Sequence, residues 1–159
     1  MRALKFIIPS FLLGAIFGAA FWYLASPLWI DVEVNETITE TGTQTVAVGT
    51  LRDADAVHKG TGDVRIVTRA DGGYELQLTN FEVTNGPDLE VWLSAHPDPQ
   101  NSDDIKGAAF VSLGKLKGNI GSQAYAIPAD ADVASYGSVA IWCEQFGVLF
   151  APAALASPS

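Results

Sequence analysis

The sequence lacks nearly every residue pattern by which enzymes and metalloproteins are usually recognised. It has a single cysteine, Cys143, so no intramolecular disulfide can form. CxxC is absent, and so is CxxCH, which excludes a covalently attached c-type haem. No GxSxG, Walker-type loop, GxGxxG or HExxH occurs, and there are only two histidines, His58 and His96. A conventional catalytic site is therefore not indicated, and the sequence leaves open whether the chain is an enzyme.

Basic residues are also scarce. The chain has nine Lys and Arg against 18 Asp and Glu, and all 18 acidic residues lie at or beyond Asp31. Arg2 and Lys5 come before that point, so the remainder has seven basic residues and a net charge of −11. Nucleic-acid binding needs clustered basic side chains, so this charge argues against a nucleic-acid partner. It is typical of a soluble surface, and it would also suit a cationic partner or a metal ion.

Charge is absent altogether from residues 6–30, a run of 25 residues. Such a run can cross roughly 30 Å of hydrocarbon with some tilt. Arg2 and Lys5 precede it, while Asp31 and Glu33 follow it, so positive charge stays on the cytoplasmic side. We expect residues 1–30 to form a single-pass transmembrane anchor in the cytoplasmic membrane. The N-terminus would be inside and the C-terminal domain periplasmic or extracellular.

The alternative for this segment is a cleaved signal peptide. A cleaved signal peptide has an apolar core of roughly 7–15 residues and a small-residue cleavage site. This core is longer, and the nearest small pair, Ala25-Ser26, is followed by Pro27, which hinders cleavage. An uncleaved anchor is therefore favoured. Gly14 and Gly18 form a GxxxG pattern, a weak indication that two such helices could pair.

Residues 31–48 are rich in Thr and Glu and poor in large apolar side chains. They predict an extended stalk, although they could also add an edge strand. Residues 156–159 should form a loose tail.

Residues 49–155 show apolar side chains at a period of two. In YELQLTNF and DLEVWLS apolar and polar side chains alternate, and Asp71-Gly72-Gly73 is typical of a hairpin turn. Gly and Pro separate the runs at intervals of about ten residues. The pattern predicts an all-β domain, a small antiparallel β-sandwich or flattened barrel.

Cys143 lies in the predicted strand SVAIWCEQ, where Val139, Ile141 and Cys143 share one face and Trp142 lies on the other. We expect the face with the cysteine to be buried, together with Phe81, Tyr125 and Phe146 from elsewhere. Three roles stay open for the thiol: an inert packing residue, a redox thiol, or a ligand to a metal or haem.

The histidines leave similar alternatives. His58 lies in DADAVHKGTGD, at the entry to the first clear strand, and could stabilise a turn or ligate a metal. His96 lies in a Pro-rich loop, where exposure is expected. If the fold brought His58 to Cys143, a soft nitrogen–sulfur site for copper or haem iron would result.

Taken together, several motifs resemble the DM-thirteen domain, an extracellular module also called the electron-transfer DM domain. The family occurs beside DOMON domains in animals and alone in many bacteria, and the resemblance covers residues 49–155. Its opening His-x-x-x-Gly region corresponds to His58 and Gly62. One departure is Leu51, where an aromatic residue is typical. The other matching residues are Asn80, Phe81, Gly86, Pro87, Asp88, Leu113, Leu116, Lys117, Gly118, Asn119, Gly121, Gln123, Tyr125, Tyr136, Val139, Ile141, Trp142, Cys143 and Phe146.

The resemblance implies an all-β extracytoplasmic domain. Together with the expected N-terminal anchor, it makes the chain a bacterial-type, single-pass electron-transfer module whose partner would be a redox or envelope protein. The cysteine of the Trp-Cys pair is the family's proposed redox residue, as a thiol or as a ligand to a group such as haem, with His58 as a second ligand by family position. Ligation is the stronger version of this redox hypothesis. Glu144 adjoins Cys143 and disfavours a free thiolate, whereas a bound metal deprotonates its thiol ligand. The alternative is a non-enzymatic binding or adhesion module of the cell envelope, in which Cys143 is purely structural.

Overall fold

The computed structural model describes residues 4–26, 29–38 and 44–158. Two compact units are present, Met1–Ile30 and Asp31–Ser159. The first contains one helix, α1 (Leu4–Ala25), which includes Pro9. Within the described part of the chain, no helix has both the length and the hydropathy expected of a membrane span.

The second unit is mostly β and has two sheets in a sandwich-like arrangement, as the period of two predicts. The strands are β1 (Glu33–Asn35), β2 (Thr45–Leu51), β3 (Gly60–Thr68), β4 (Tyr74–Val83), β5 (Leu89–Ser94), β6 (Phe110–Lys115), β7 (Ile120–Ile127), β8 (Ser138–Cys143) and β9 (Val148–Ala154), and a short helix α2 (Ser102–Lys106) lies between β5 and β6. The first sheet has the order β1-β7-β4-β3-β2 and the second the order β6-β5-β8-β9. All these pairings are antiparallel except that of β1 with β7, which is parallel.

The facing surfaces of the two sheets form the main core. Val139, Ile141 and Cys143 all point into it with no exposed surface, which confirms the predicted buried face. Phe81 and Tyr125 belong to the same core, also as predicted. The prediction for Phe146 is wrong, because this side chain is 64% exposed. It lies in the turn between β8 and β9, where the alternation of a strand no longer applies.

A second, smaller core covers the outer face of the second sheet. Trp92 and Trp142 pack there with Ile105 of α2, which is fully buried. The Asn101 side chain caps α2 by accepting hydrogen bonds from the backbone N–H groups of Asp103 and Asp104. The side chains on the outer face of β8 are therefore shielded from solvent, as are those on its inner face.

Two parts of residues 31–48 belong to strands, at the start of this range and at its end. Their β-branched Val and Thr side chains suit a half-buried strand. Glu33–Asn35 and Thr45–Leu51 lie at opposite edges of the first sheet, so these parts follow the edge-strand alternative and are not a free stalk. Residues 39–43 of the predicted stalk lie outside the described residues. In the predicted loose tail, Ala156 pairs with Val48 through two backbone hydrogen bonds of 2.8 and 2.9 Å.

Candidate functional site

Cys143 is the last residue of β8 and lies opposite Leu89 of β5 and Val148 of β9. Its side chain is completely buried and is not in a disulfide. The thiol donates a hydrogen bond to the backbone carbonyl oxygen of Pro87, at a sulfur–oxygen distance of 2.9 Å. The sulfur is therefore both shielded from solvent and hydrogen-bonded.

The segment that accepts this hydrogen bond, residues 84–88, is called the 84–88 turn below. Asp88 has a φ of 57°, a conformation that non-glycine residues seldom adopt. Its backbone oxygen accepts a hydrogen bond of 3.1 Å from the Glu144 N–H. Its carboxylate pairs with Lys115, which raises the pKa of that lysine. Asp88 thus links the turn to the residue after Cys143 and to the end of β6.

Gly86 fixes the other side of the turn. A Cβ atom at this position would lie 2.6 Å from Cζ of Phe150 and 3.1 Å from Cδ2 of Leu89. Phe150 and Leu89 are buried, so only a residue without a side chain lets the turn lie this close to the core. The turn therefore closes the sandwich directly beside Cys143.

His58 lies against Phe150, with ring centroids 4.4 Å apart. Its Nδ1 is 2.7 Å from Oδ2 of Asp55, and its backbone N–H donates to Oδ1 of the same residue at 2.7 Å. The hydrogen bonds from the His58 side chain and backbone lower the pKa of Asp55 to about 2. His58 therefore stabilises a tight acidic turn, and Phe150 packs against both that histidine and Gly86.

His96 belongs to the loop after β5. Its Nδ1 accepts a hydrogen bond of 3.2 Å from the backbone N–H of Asp98, and its carbonyl oxygen accepts one of 2.6 Å from the hydroxyl of Ser138. Both contacts shape the loop.

The fit of a haem iron or copper ion can be judged from the donors around Cys143. Its thiol hydrogen is directed at a carbonyl oxygen, and its nearest strand neighbours are Leu89 and Val148. Across the residues that the structure describes, no three His, Cys, Asp or Glu side chains are grouped to hold a metal ion. The buried, hydrogen-bonded thiol with its apolar strand neighbours therefore does not fit a three-ligand metal site.

A family model described as Electron transfer DM13 matches residues 51–155. The chain belongs to the DM13 family. This confirms the family predicted from the motifs. No curated protein and no solved structure gives a significant match. The match includes Cys143, the 84–88 turn and His58, and it begins after β1.

A second group of DM13 motif residues lies in the loop before β7 and in β7 itself. Gln123 is fully buried, and its Oε1 accepts a hydrogen bond of 2.7 Å from the Tyr125 hydroxyl. Burial raises the pKa of Tyr125 to about 12. Asn119 is also buried. The sequence motif marks these residues without indicating a role, although a polar side chain such as Gln123 within an apolar strand is a signal of a buried hydrogen bond.

Proposed function

We propose that this DM13 domain is a membrane-tethered, extracytoplasmic electron-transfer module in which Cys143 is the redox residue. The observation that carries the proposal is the family match across residues 51–155, which contains the only cysteine of the chain. Cysteine is also the only side chain in that range with ordinary two-electron redox chemistry, since the single methionine is Met1.

Thiol chemistry is the form that the surroundings of Cys143 favour over ligation, since they provide no set of metal ligands. A thiol must be accessible before it can react. The side chain is fully buried, and its hydrogen bond goes to Pro87 of the 84–88 turn. A reacting partner could therefore reach the sulfur only after that turn moves.

The test compares the full chain with Cys143→Ser and Cys143→Ala. Serine keeps a donor for the Pro87 carbonyl, whereas alanine removes it, so the pair separates folding from redox chemistry. We expect both variants to lose electron exchange with a small-molecule oxidant, followed by absorbance, while the serine variant stays folded. Metal analysis and an absorption spectrum of the natively expressed protein test ligation. Unchanged electron exchange in a folded serine variant would refute a redox role for Cys143.

The burial of Cys143 favours one second candidate, a non-enzymatic binding or adhesion module in which the cysteine only packs. A fully buried, hydrogen-bonded cysteine is what a structural role requires. Alkylation of the thiol only after unfolding, combined with no electron exchange, would support this candidate.

The tether is proposed on separate grounds. Residues 6–30 carry no charge, Arg2 and Lys5 precede them, and Asp31 and Glu33 follow them, which is the order expected of a single-pass anchor. Helix α1 exposes large apolar side chains along its length, among them Phe6, Phe11, Phe17 and Trp22. We expect the protein to resist carbonate extraction from membranes and a reporter after Ser159 to be active only outside the cytoplasm. A mature N-terminus at or beyond Ser26 would contradict an uncleaved anchor.

Pairing of two tethers through Gly14 and Gly18 is part of the same proposal. Apart from the adjacent backbone of the helix itself, nothing lies within 4 Å of the position that a Cβ would take at either glycine, so both leave room for a second helix. Crosslinking of the full chain in membranes, compared with Gly14→Leu, tests it. Equal dimer yields from the two proteins would count against it.

A further inference from the structure

Strand β1 is short and buries little apolar surface against its sheet. It has three residues, of which Glu33 and Asn35 are exposed and Val34 is half-buried. The buried apolar side chains of the core begin at Leu51. The family match begins at the same residue. Hydrophobic burial therefore contributes little to the attachment of β1, and the core is complete without it.

Two glycines at the edge of β7 allow the backbone of a neighbouring strand to approach closely. A Cβ atom on Gly118 would lie 2.4 Å from the carbonyl oxygen of Val32, and one on Gly121 would lie 2.1 Å from that of Val34. Gly121 also has a φ of 108°, which side chains rarely permit. Two glycines thus open a groove in which another strand can lie against β7, as in strand addition to a sheet edge.

One end of the groove recognises a carboxylate together with the backbone beside it. Oδ1 of Asp31 accepts hydrogen bonds from Nδ2 of Asn119 at 2.9 Å and from Nδ2 of Asn85 at 2.7 Å. Oδ1 of Asn119 accepts the Val32 N–H at 2.7 Å. Asn119 therefore binds both the side chain of Asp31 and the backbone of Val32.

The other end recognises a second carboxylate, five residues later. Nζ of Lys117 lies 2.7 and 2.9 Å from the two carboxylate oxygens of Glu36, and the Ala124 N–H donates to Oε2 at 2.8 Å. The hydrogen bond from Lys117, and then that from Ala124, lowers the pKa of Glu36. Charge complementarity thus selects an acidic residue here.

Buried groups hold the groove in shape. Gln123 donates to the carbonyl oxygen of Gly118 at 2.7 Å and accepts the Lys117 N–H at 3.2 Å. The Lys117 ammonium lies 4.9 Å from the ring centroid of Tyr125. These residues all lie inside the DM13 match, whereas the strand that they hold lies outside it.

We infer that the β7 edge and residues 117–124 form a strand-binding groove for an extended segment with carboxylates at its first and sixth positions. We further infer that residues 31–36 of a second copy of this chain exchange into it. The second copy carries the sequence to which the groove is already complementary. Exchange of an identical element between protomers preserves every contact, so its thermodynamic cost is low. Since β1 and β2 lie at opposite edges of their sheet, removal of β1 breaks no hairpin.

The first test traps the exchanged strand. Asn35 and Ser122 are direct partners across the β1–β7 pair. Full-length Asn35→Cys and Ser122→Cys proteins are mixed in detergent and oxidised, with each protein alone as the control. A disulfide-linked dimer that contains one copy of each variant, beyond the dimers that each forms alone, supports exchange. The doubly substituted chain shows whether the geometry allows the bond. An internal bond in that chain with no mixed dimer overturns the inference.

The second test uses a fluorescent peptide of residues 30–37 and the full chain, followed by anisotropy. The matched control peptide has Asp31→Ala and Glu36→Ala. We expect binding that is at least tenfold weaker for the control peptide and for Asn119→Ala protein, and unchanged for Lys115→Ala, whose partner is Asp88. If the chain with both Asn35→Cys and Ser122→Cys forms no internal disulfide, peptide binding alone tests the inference. Absence of binding overturns the groove, and binding without mixed dimers replaces the second copy by an acidic strand of another protein.

Discussion

Substitution of Gly86 by alanine tests the idea that the 84–88 turn controls access to Cys143. The added Cβ would lie 2.6 Å from Cζ and 2.7 Å from Cε1 of Phe150. Phe150 is 6% exposed and its ring also packs against His58, so a displacement of the ring would disturb that contact. Overpacking of this kind costs about 1–3 kcal/mol. A loss of that size corresponds to a melting temperature lower by roughly 3–15 °C for a domain of this length.

Part of this cost should appear as easier opening of the turn. If about 1–2 kcal/mol is lost locally, the open population rises by roughly 5- to 30-fold. Because the Pro87 carbonyl that accepts the Cys143 thiol lies next to Gly86, alkylation of Cys143 in the folded protein should accelerate by a similar factor. The assay is the rate of thiol modification in native buffer, measured beside thermal unfolding of the full chain.

Gly107→Ala is the matched control for that experiment. Gly107 has a φ of −84°, and the nearest atom to its added Cβ is the Asp103 carbonyl oxygen at 3.4 Å, an ordinary contact. This variant should keep wild-type stability to within about 0.5 kcal/mol and the wild-type alkylation rate. If Gly86→Ala also keeps both, the turn does not shield Cys143 as described.

Three further results are expected. Ile141→Ala, at a fully buried position, should lower the free energy of unfolding by about 2–5 kcal/mol in urea titrations, whereas Val57→Ala, at a 73% exposed position, should change it by less than about 0.5 kcal/mol; equal effects would mean that the inner face of β8 is not packed. The hydrogen bond from Lys117 holds the pKa of Glu36 below its ordinary value of 4.5, so this pairing stabilises the fold above pH 4.5 and is lost as the pH falls through the folded-state pKa. The urea midpoint of Glu36→Gln should therefore fall less than that of wild type between pH 7 and pH 3, and parallel curves would contradict the pairing. Burial raises the pKa of Tyr125 to about 12, so the contribution of this group to stability is present below pH 10 and is lost as the pH rises toward 12. Ultraviolet titration should show a tyrosine that ionises near pH 12 and is missing in Tyr125→Phe. Identical titrations of the two proteins would refute the assignment of this pKa to Tyr125.

The inner face of β8 could be predicted from sequence because alternation is a local property. Val139, Ile141 and Cys143 point the same way in any regular strand, and this face is fully buried. Phe146 was misplaced because a large aromatic suggests burial, although a turn residue follows no alternation. The alternation also predicts that Trp142 lies on the opposite face, but it does not predict that this face is buried. It is covered by Ile105 of the short helix α2, which lies in a polar segment between β5 and β6.

The surroundings of Cys143 could not be predicted, because they depend on long-range geometry. Pro87 lies 56 residues from Cys143 in sequence, and its carbonyl oxygen faces the thiol only because β5 and β8 pair in one register. The attachment of β1 is similarly non-local, since Asp31 meets Asn119 across 88 residues. Motif resemblance marked Asn119 without indicating what it contacts.

The two tryptophans of the β unit, Trp92 and Trp142, lie in the smaller core, with ring centroids 5.2 Å apart, and Trp92 is stacked on Phe110 at 3.7 Å. The other two of the four, Trp22 and Trp29, are in the N-terminal unit. Tryptophan fluorescence of the β unit therefore reports on the outer side of β8, while the reactivity of Cys143 reports on its inner side. Unfolding curves from these two signals will coincide only if both cores melt in one step, and any gap between them would measure how independently α2 and its loop detach from the sheet.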